Sequence, residues 1–135
     1  MRPNTRHTLL NLNHLYPKLV CLTLDLERDY GTLLEKSSFE GLKYVPQLVD
    51  LFKKRGVPIT IFVQGEIFET NPLDIEILSS LDVEFGLHSY SHPPTKDINA
   101  VYEVKKSKEA FMRFFGKEPY GYRFPNGVFG KDAYD

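Results

Sequence analysis

Two imidazoles separated by three residues, His88 and His92 in the stretch HSYSH, are the side chains of this sequence best suited to chemistry. They sit where an apolar run ends and two prolines follow. At this spacing both rings can reach one point, whether the segment turns as a helix or as a tight loop. Imidazole together with carboxylate is a donor set for zinc and neighbouring divalent metals. Carboxylates come from the stretch LTLDLERD, where Asp25, Glu27 and Asp29 occupy every second position. A hydrolytic centre of this kind needs one carboxylate on the ion to neutralise charge. It needs a second, off the ion, to take a proton from water. Asp25 at a strand end fits that second task. Such a base requires a cation that orients it and keeps it ionised. Arg123, in the stretch YGYRFPNG, offers a guanidinium that can grip a carboxylate through two hydrogen bonds. Each group also has a plainer reading: a loop histidine, a solvated acid, a surface arginine, or serines (Ser89, Ser91) closing a local turn. What favours chemistry is their shared placement.

That placement follows from the elements. Positions 18–25 (KLVCLTLD), 57–63 and 83–88 (VEFGLH) read as buried strands, and 120–125 (YGYRFP) as a fourth. Between them lie helical patterns. The first has Ser37 and Glu40 as a capping box, apolar positions from Phe39 to Phe52 at helical spacing, and Gly56 as its stop. A second starts at Asn71 and Pro72, with Leu73, Ile77, Leu78 and Leu81 on its apolar face. A third spans 98–115, capped by Thr95 or Asp97. Its core face carries Val101, Val104, Phe111, Phe114 and Phe115, and Gly116 ends it. The stretch GKDAYD reads as the first turn of one more helix. Strands alternating with helices imply an α/β fold with a parallel sheet or barrel. In such folds functional residues gather at the C-terminal ends of the strands, where Asp25, Gln64, His88 and Arg123 all fall.

Bulk properties narrow the classes. The 135 residues suit one domain with a real core. A net charge of −1 argues against a nucleic-acid surface or a polybasic membrane patch. No apolar run approaches the roughly 20 residues of a membrane helix, and no signal peptide stands out, which favours a cytoplasmic location. The single cysteine, Cys21, excludes an internal disulfide and reads as a small buried apolar side chain.

The three stretches resemble, in order, the motifs of the polysaccharide deacetylases, a carbohydrate esterase family. LTLDLERD resembles the acid-rich end of that family's first strand. HSYSHP is similar to its His-Ser/Thr-x-x-His motif, and RFPNG to its Arg-x-Pro motif. ITIFVQGE is similar to its second strand. The resemblance covers residues 18–135, with 1–17 as an N-terminal extension. It implies a distorted (β/α) barrel, of which about the first four βα units are present. It also implies a divalent metal, commonly zinc, and hydrolysis of an N-acetylated carbohydrate or related amide. Carried over by position, His88 and His92 are metal ligands, Asp25 is the general base and Arg123 its orienter.

The match departs from the family at two points. The family's usual first motif has adjacent aspartates, base then ligand, whereas here Leu26 follows Asp25. Alternation along an extended strand puts Asp25 and Glu27 on one side, making Glu27 the preferred third ligand, with Asp29 the competitor. The family's general-acid histidine also has no counterpart after Arg123. The expectation is therefore a chain incomplete at its C-terminus, or one completed by a second chain.

Overall fold

The computed structural model of the chain describes residues 19–29, 38–93 and 99–127. Three strands form a parallel sheet in the order β1 (Thr23–Leu26), β2 (Ile59–Val63) and β3 (Val83–Leu87). Parallel neighbours require crossover connections, and helices supply them. A 3-10 turn (Glu40–Tyr44) runs into α1 (Val45–Arg55) between β1 and β2. Helices α2 (Ile67–Thr70) and α3 (Pro72–Leu78) lie between β2 and β3, and α4 (Ala100–Phe115) follows β3. Gly56 and Gly116 end α1 and α4 at φ 61° and 66°, their N–H groups closing onto Phe52 and Met112. Both glycines are thus helix stops in the left-handed region, where a side chain would be strained.

The register fixes two faces. Asp25 lies opposite Phe62, and Phe62 opposite Gly86. Side chains alternate along a strand. Leu24, Leu26, Ile61, Val63 and Leu87 therefore point to the helical side, where Ile61 and Val63 are wholly buried with Val45, Val49, Ile75 and Phe111. Thr23, Asp25, Thr60, Phe62 and Gly86 share the other face, on which the polar side chains collect. The ladder continues one residue past the strands through Gln64 N–H to the Leu26 carbonyl and His88 N–H to the Val63 carbonyl. The next row on that polar face is then Glu27, Gln64 and His88.

Several expectations need correction. The first strand begins at Thr23, and Leu19 and Val20 are almost fully exposed because they precede the start of β2 at Ile59. Cys21 is exposed with them rather than buried. The fourth strand shrinks to a single parallel bridge between Tyr122 and Leu87, held by Leu87 N–H to the Gly121 carbonyl and Arg123 N–H to the Leu87 carbonyl. Pro125 has no N–H to extend that ladder and opens a 3-10 turn (Pro125–Gly127) instead. In α3, Leu73 and Ile77 face solvent while Ile75 and Leu78 are buried and join Ile67 and Phe68 of α2 in the core. Asn71 precedes α3 but makes no side-chain cap, its oxygen accepting from the Thr70 hydroxyl instead. Asn99 caps α4 by accepting from Tyr102 N–H; Thr95 and Asp97 lie outside the described residues. Val101 is 65% exposed, and the buried stripe of α4 is Glu103, Ser107, Ala110 and Phe111. Ser37, positions 1–17 and the stretch GKDAYD also lie outside the described residues. Among the described residues the architecture is an α/β parallel sheet, and no helix is long and apolar enough to cross a membrane.

Candidate metal centre

Glu27 leaves the end of β1 and His88 the end of β3, two positions apart in one row of the polar face. His92 returns to the same point after the three-residue turn Ser89–Ser91. The Glu27 Oε2 lies 3.0 Å from His88 Nε2 and 2.8 Å from His92 Nε2. All three donor atoms lie within 4.8 Å of one another. Both imidazoles are buried, whereas the Glu27 side chain keeps 29% of its exposure, so the centre opens on its carboxylate side. A tetrahedral ion with bonds of 2.0–2.2 Å spaces its ligand atoms by about 3.3–3.5 Å. The two carboxylate–imidazole distances fall about 0.3–0.7 Å short of that spacing.

Proton placement tests the fit. His88 Nδ1 lies 2.9 Å from the Arg123 carbonyl oxygen, which can only accept, so Nδ1 carries the proton. In the neutral ring Nε2 then presents a bare lone pair to the Glu27 carboxylate oxygen. Two lone pairs oppose each other there unless the ring is cationic or a cation lies between them. Burial pushes the His92 pKa below its ordinary 6.5, against the pull of Glu27, which favours the neutral, ligating form. A backbone carbonyl fixing Nδ1–H is also the usual support for a metal-bound imidazole. The donor set, the tautomer and the depressed basicity all suit a divalent ion.

Beside it, Arg123 Nη1 donates to Asp25 Oδ1 at 2.6 Å. The expected two-pronged grip on Asp25 is divided, because Nη2 donates at 3.0 Å to Thr23 Oγ1, two residues earlier on the same strand face. The guanidinium rests 4.1 Å above the Phe62 ring. Phe62 can lie flat there because Gly86, its cross-strand partner, has no side chain. One residue thereby holds two parts of the site, Asp25 through its side chain and His88 through its carbonyl.

A family model described as polysaccharide deacetylase matches residues 16–135. The chain belongs to the polysaccharide deacetylase family. It is similar to the peptidoglycan deacetylase of Helicobacter pylori, at 33% identity over 95 residues, 68% of this chain and 32% of that protein. The solved Bc1960 peptidoglycan N-acetylglucosamine deacetylase is 27% identical and superposes with a TM-score of 0.63, covering 84% of this chain and 49% of its own. A Bacillus anthracis protein described as a pseudoenzyme of carbohydrate esterase family 4 superposes at 0.65 with 20% identity, over 87% of this chain and 40% of its own, which is a likeness of fold. The chain spans about a third of the length of the curated relatives it matches.

The competing acid, Asp29, is turned away from the cluster. Its oxygens accept from the Ser38 hydroxyl and from the N–H groups of Glu40 and Gly41. Those bonds, led by Ser38, hold its carboxyl below the ordinary carboxylate range, and they start the helical segment in the absence of a local cap. Three further residues shape the centre, of which Gln64 is a strand-tip residue marked in the sequence and Arg28 and Glu103 are not. Buried Gln64 accepts from Arg28 N–H and donates to Glu66. The Arg28 guanidinium donates to the His92 carbonyl, tying the strand that bears Glu27 to the turn that bears His92. Glu103, on α4, accepts from Ser89, Tyr90 and Ser91. Its only sequence signal is an acid on a helix face otherwise apolar or small.

Proposed function

We propose that this site hydrolyses the N-acetyl group of an N-acetylated sugar with the help of a divalent ion, zinc being the best match to its donors. The observation that carries the reading is the convergence of Glu27, His88 and His92 on one rim with the ion-paired Asp25 beside them. Glu27, His88 and His92 would hold the ion. When bound, such an ion supplies Lewis acidity, polarising the amide carbonyl and lowering the pKa of water. Asp25 is the base that takes a proton from the attacking water at its carboxylate. Arg123 holds that carboxylate in orientation through the Nη1–H bond to Oδ1. The proton held on Asp25 is then available to the leaving nitrogen, completing the cleavage of the carbon–nitrogen bond. The Arg123 carbonyl keeps the His88 lone pair turned toward the centre throughout.

Relatives named as deacetylases of peptidoglycan sugars support an N-acetylhexosamine polymer as substrate. The test is acetate release from N-acetylglucosamine oligomers and peptidoglycan fragments by zinc-loaded chain, with and without chelator. Chelator-sensitive release supports the reading. An ion bound stoichiometrically without acetate release refutes hydrolysis and leaves a binding module.

A further inference from the structure

We propose that Glu103 is a positioning residue for the metal centre: its carboxylate, rooted in α4, moulds the turn that sets His92 against His88. The inference rests on the metal reading above. Glu103 is only 4% exposed, yet no cation among the described residues pairs with it. Its partners are instead four donors from the three residues between the histidines. Oε2 accepts from Ser89 Oγ at 2.5 Å, Tyr90 N–H at 2.8 Å and Ser91 N–H at 2.8 Å, and Oε1 accepts from Ser91 Oγ at 2.9 Å. The turn closes around this anion. Ser89 adopts φ 64° and His92 φ 51°, left-handed conformations that L side chains avoid. Ser89 in that conformation aims the next two N–H groups at one oxygen, as backbone nests do around bound anions. Burial opposes ionisation of Glu103, but the donated bonds outweigh it and lower its pKa below the ordinary 4.5. Without the carboxylate, two inward-facing N–H groups lose their acceptor and the left-handed geometry loses its support. His92, the last residue of the turn, then moves away from Glu27 and His88.

Titration of Zn²⁺ and of Co²⁺ into the whole chain tests this, with the Co²⁺ visible spectrum reporting ligand geometry. Glu103→Ala is expected to bind about 10–100-fold more weakly and to alter that spectrum. Glu103→Asp keeps the charge but falls one methylene short, and its affinity is expected between those of Ala and wild type. Glu103→Gln keeps an oxygen for both N–H groups and is expected near wild type. Ala110→Gly, a core position on the same helix, lowers the melting temperature without contacting the turn and is expected to keep wild-type affinity. The proposal is overturned if Glu103→Ala, or Glu103→Asp where the alanine variant does not fold, binds metal as tightly as wild type with the same spectrum. An alanine-sized loss in Glu103→Gln overturns it too, as does an equal loss in Ala110→Gly at matched melting temperature. A wild-type chain that takes up no ion defeats the metal reading itself, whereas equal affinities in wild type and the Glu103 variants defeat only the positioning role.

Discussion

Gly86→Ala puts a methyl group where the sheet has no room for one. A Cβ at Gly86 falls 2.8 Å from both Cδ1 and Cε1 of Phe62 and 3.2 Å from the Gly121 carbonyl oxygen. Carbon atoms in good contact lie about 3.5–4.0 Å apart, so the ring must withdraw by roughly 0.7 Å or more. Phe62 does not move alone, because the Arg123 guanidinium rests on it at 4.1 Å and reaches Asp25 at 2.6 Å. Overpacking of this size costs about 1–3 kcal/mol of folding stability. Displacing the base through its arginine is expected to slow hydrolysis by about 10²-fold, the penalty of a misplacement near 1 Å. Metal affinity is expected to hold, since Arg123 supports His88 through its backbone carbonyl and not through the guanidinium that rests on Phe62. Urea unfolding of wild type, Gly86→Ala, Phe62→Leu and the double variant isolates the clash. Shrinking residue 62 should relieve most of the alanine penalty, giving a coupling of about 0.5–3 kcal/mol. A penalty of equal size in both backgrounds, or none at all, refutes the proposed contact chain from Gly86 through Phe62 to Arg123.

Asp25→Asn keeps the ligands intact, so zinc should stay bound while acetate release falls by about 10²–10⁴-fold; retained activity would require another base. The Glu103 carboxyl has a folded pKa below its ordinary 4.5, so its contribution to stability is complete above about pH 4.5 and is lost as pH falls through the lowered value. Wild type should therefore lose stability more steeply than Glu103→Gln on acidification, and parallel urea midpoints in the two proteins would contradict this. Cys21 is exposed, so a thiol reagent should label the native chain about as fast as the urea-unfolded one; strong native protection would place Cys21 in a core.

Much of the site is legible in the sequence because it depends on local spacing. The turn between His88 and His92 is short enough that few conformations exist, and period-two alternation puts Asp25 and Glu27 on one face. Alternation along the strand favours Glu27 over Asp29 as the ligand without excluding Asp29. The choice turns on Ser38 and the N–H groups of Glu40 and Gly41, which capture Asp29 from across a loop. Glu103 was illegible for a related reason. An acid at one helix position reads as solvated until the fold brings an anion-seeking turn against it. Helix faces failed where a short helix offers two apolar rows: Leu73 and Ile77 carry the right period, but Ile75 and Leu78 are the residues buried. The fourth strand failed because pairing stops after a single bridge at Tyr122, and Pro125, three residues on, has no N–H to extend it. Cys21 sits in a run with strand composition, yet it precedes the start of the paired strand and stays exposed.

The central claim is that one acid and two imidazoles share an ion. X-ray absorption on the zinc-loaded chain, paired with metal analysis of wild type and His88→Ala, tests it most directly. The account predicts one ion per wild-type chain, with a first shell of two imidazole nitrogens and oxygen, and loss of stoichiometric binding in His88→Ala. A shell without imidazole, or unchanged metal content in that variant, would contradict it.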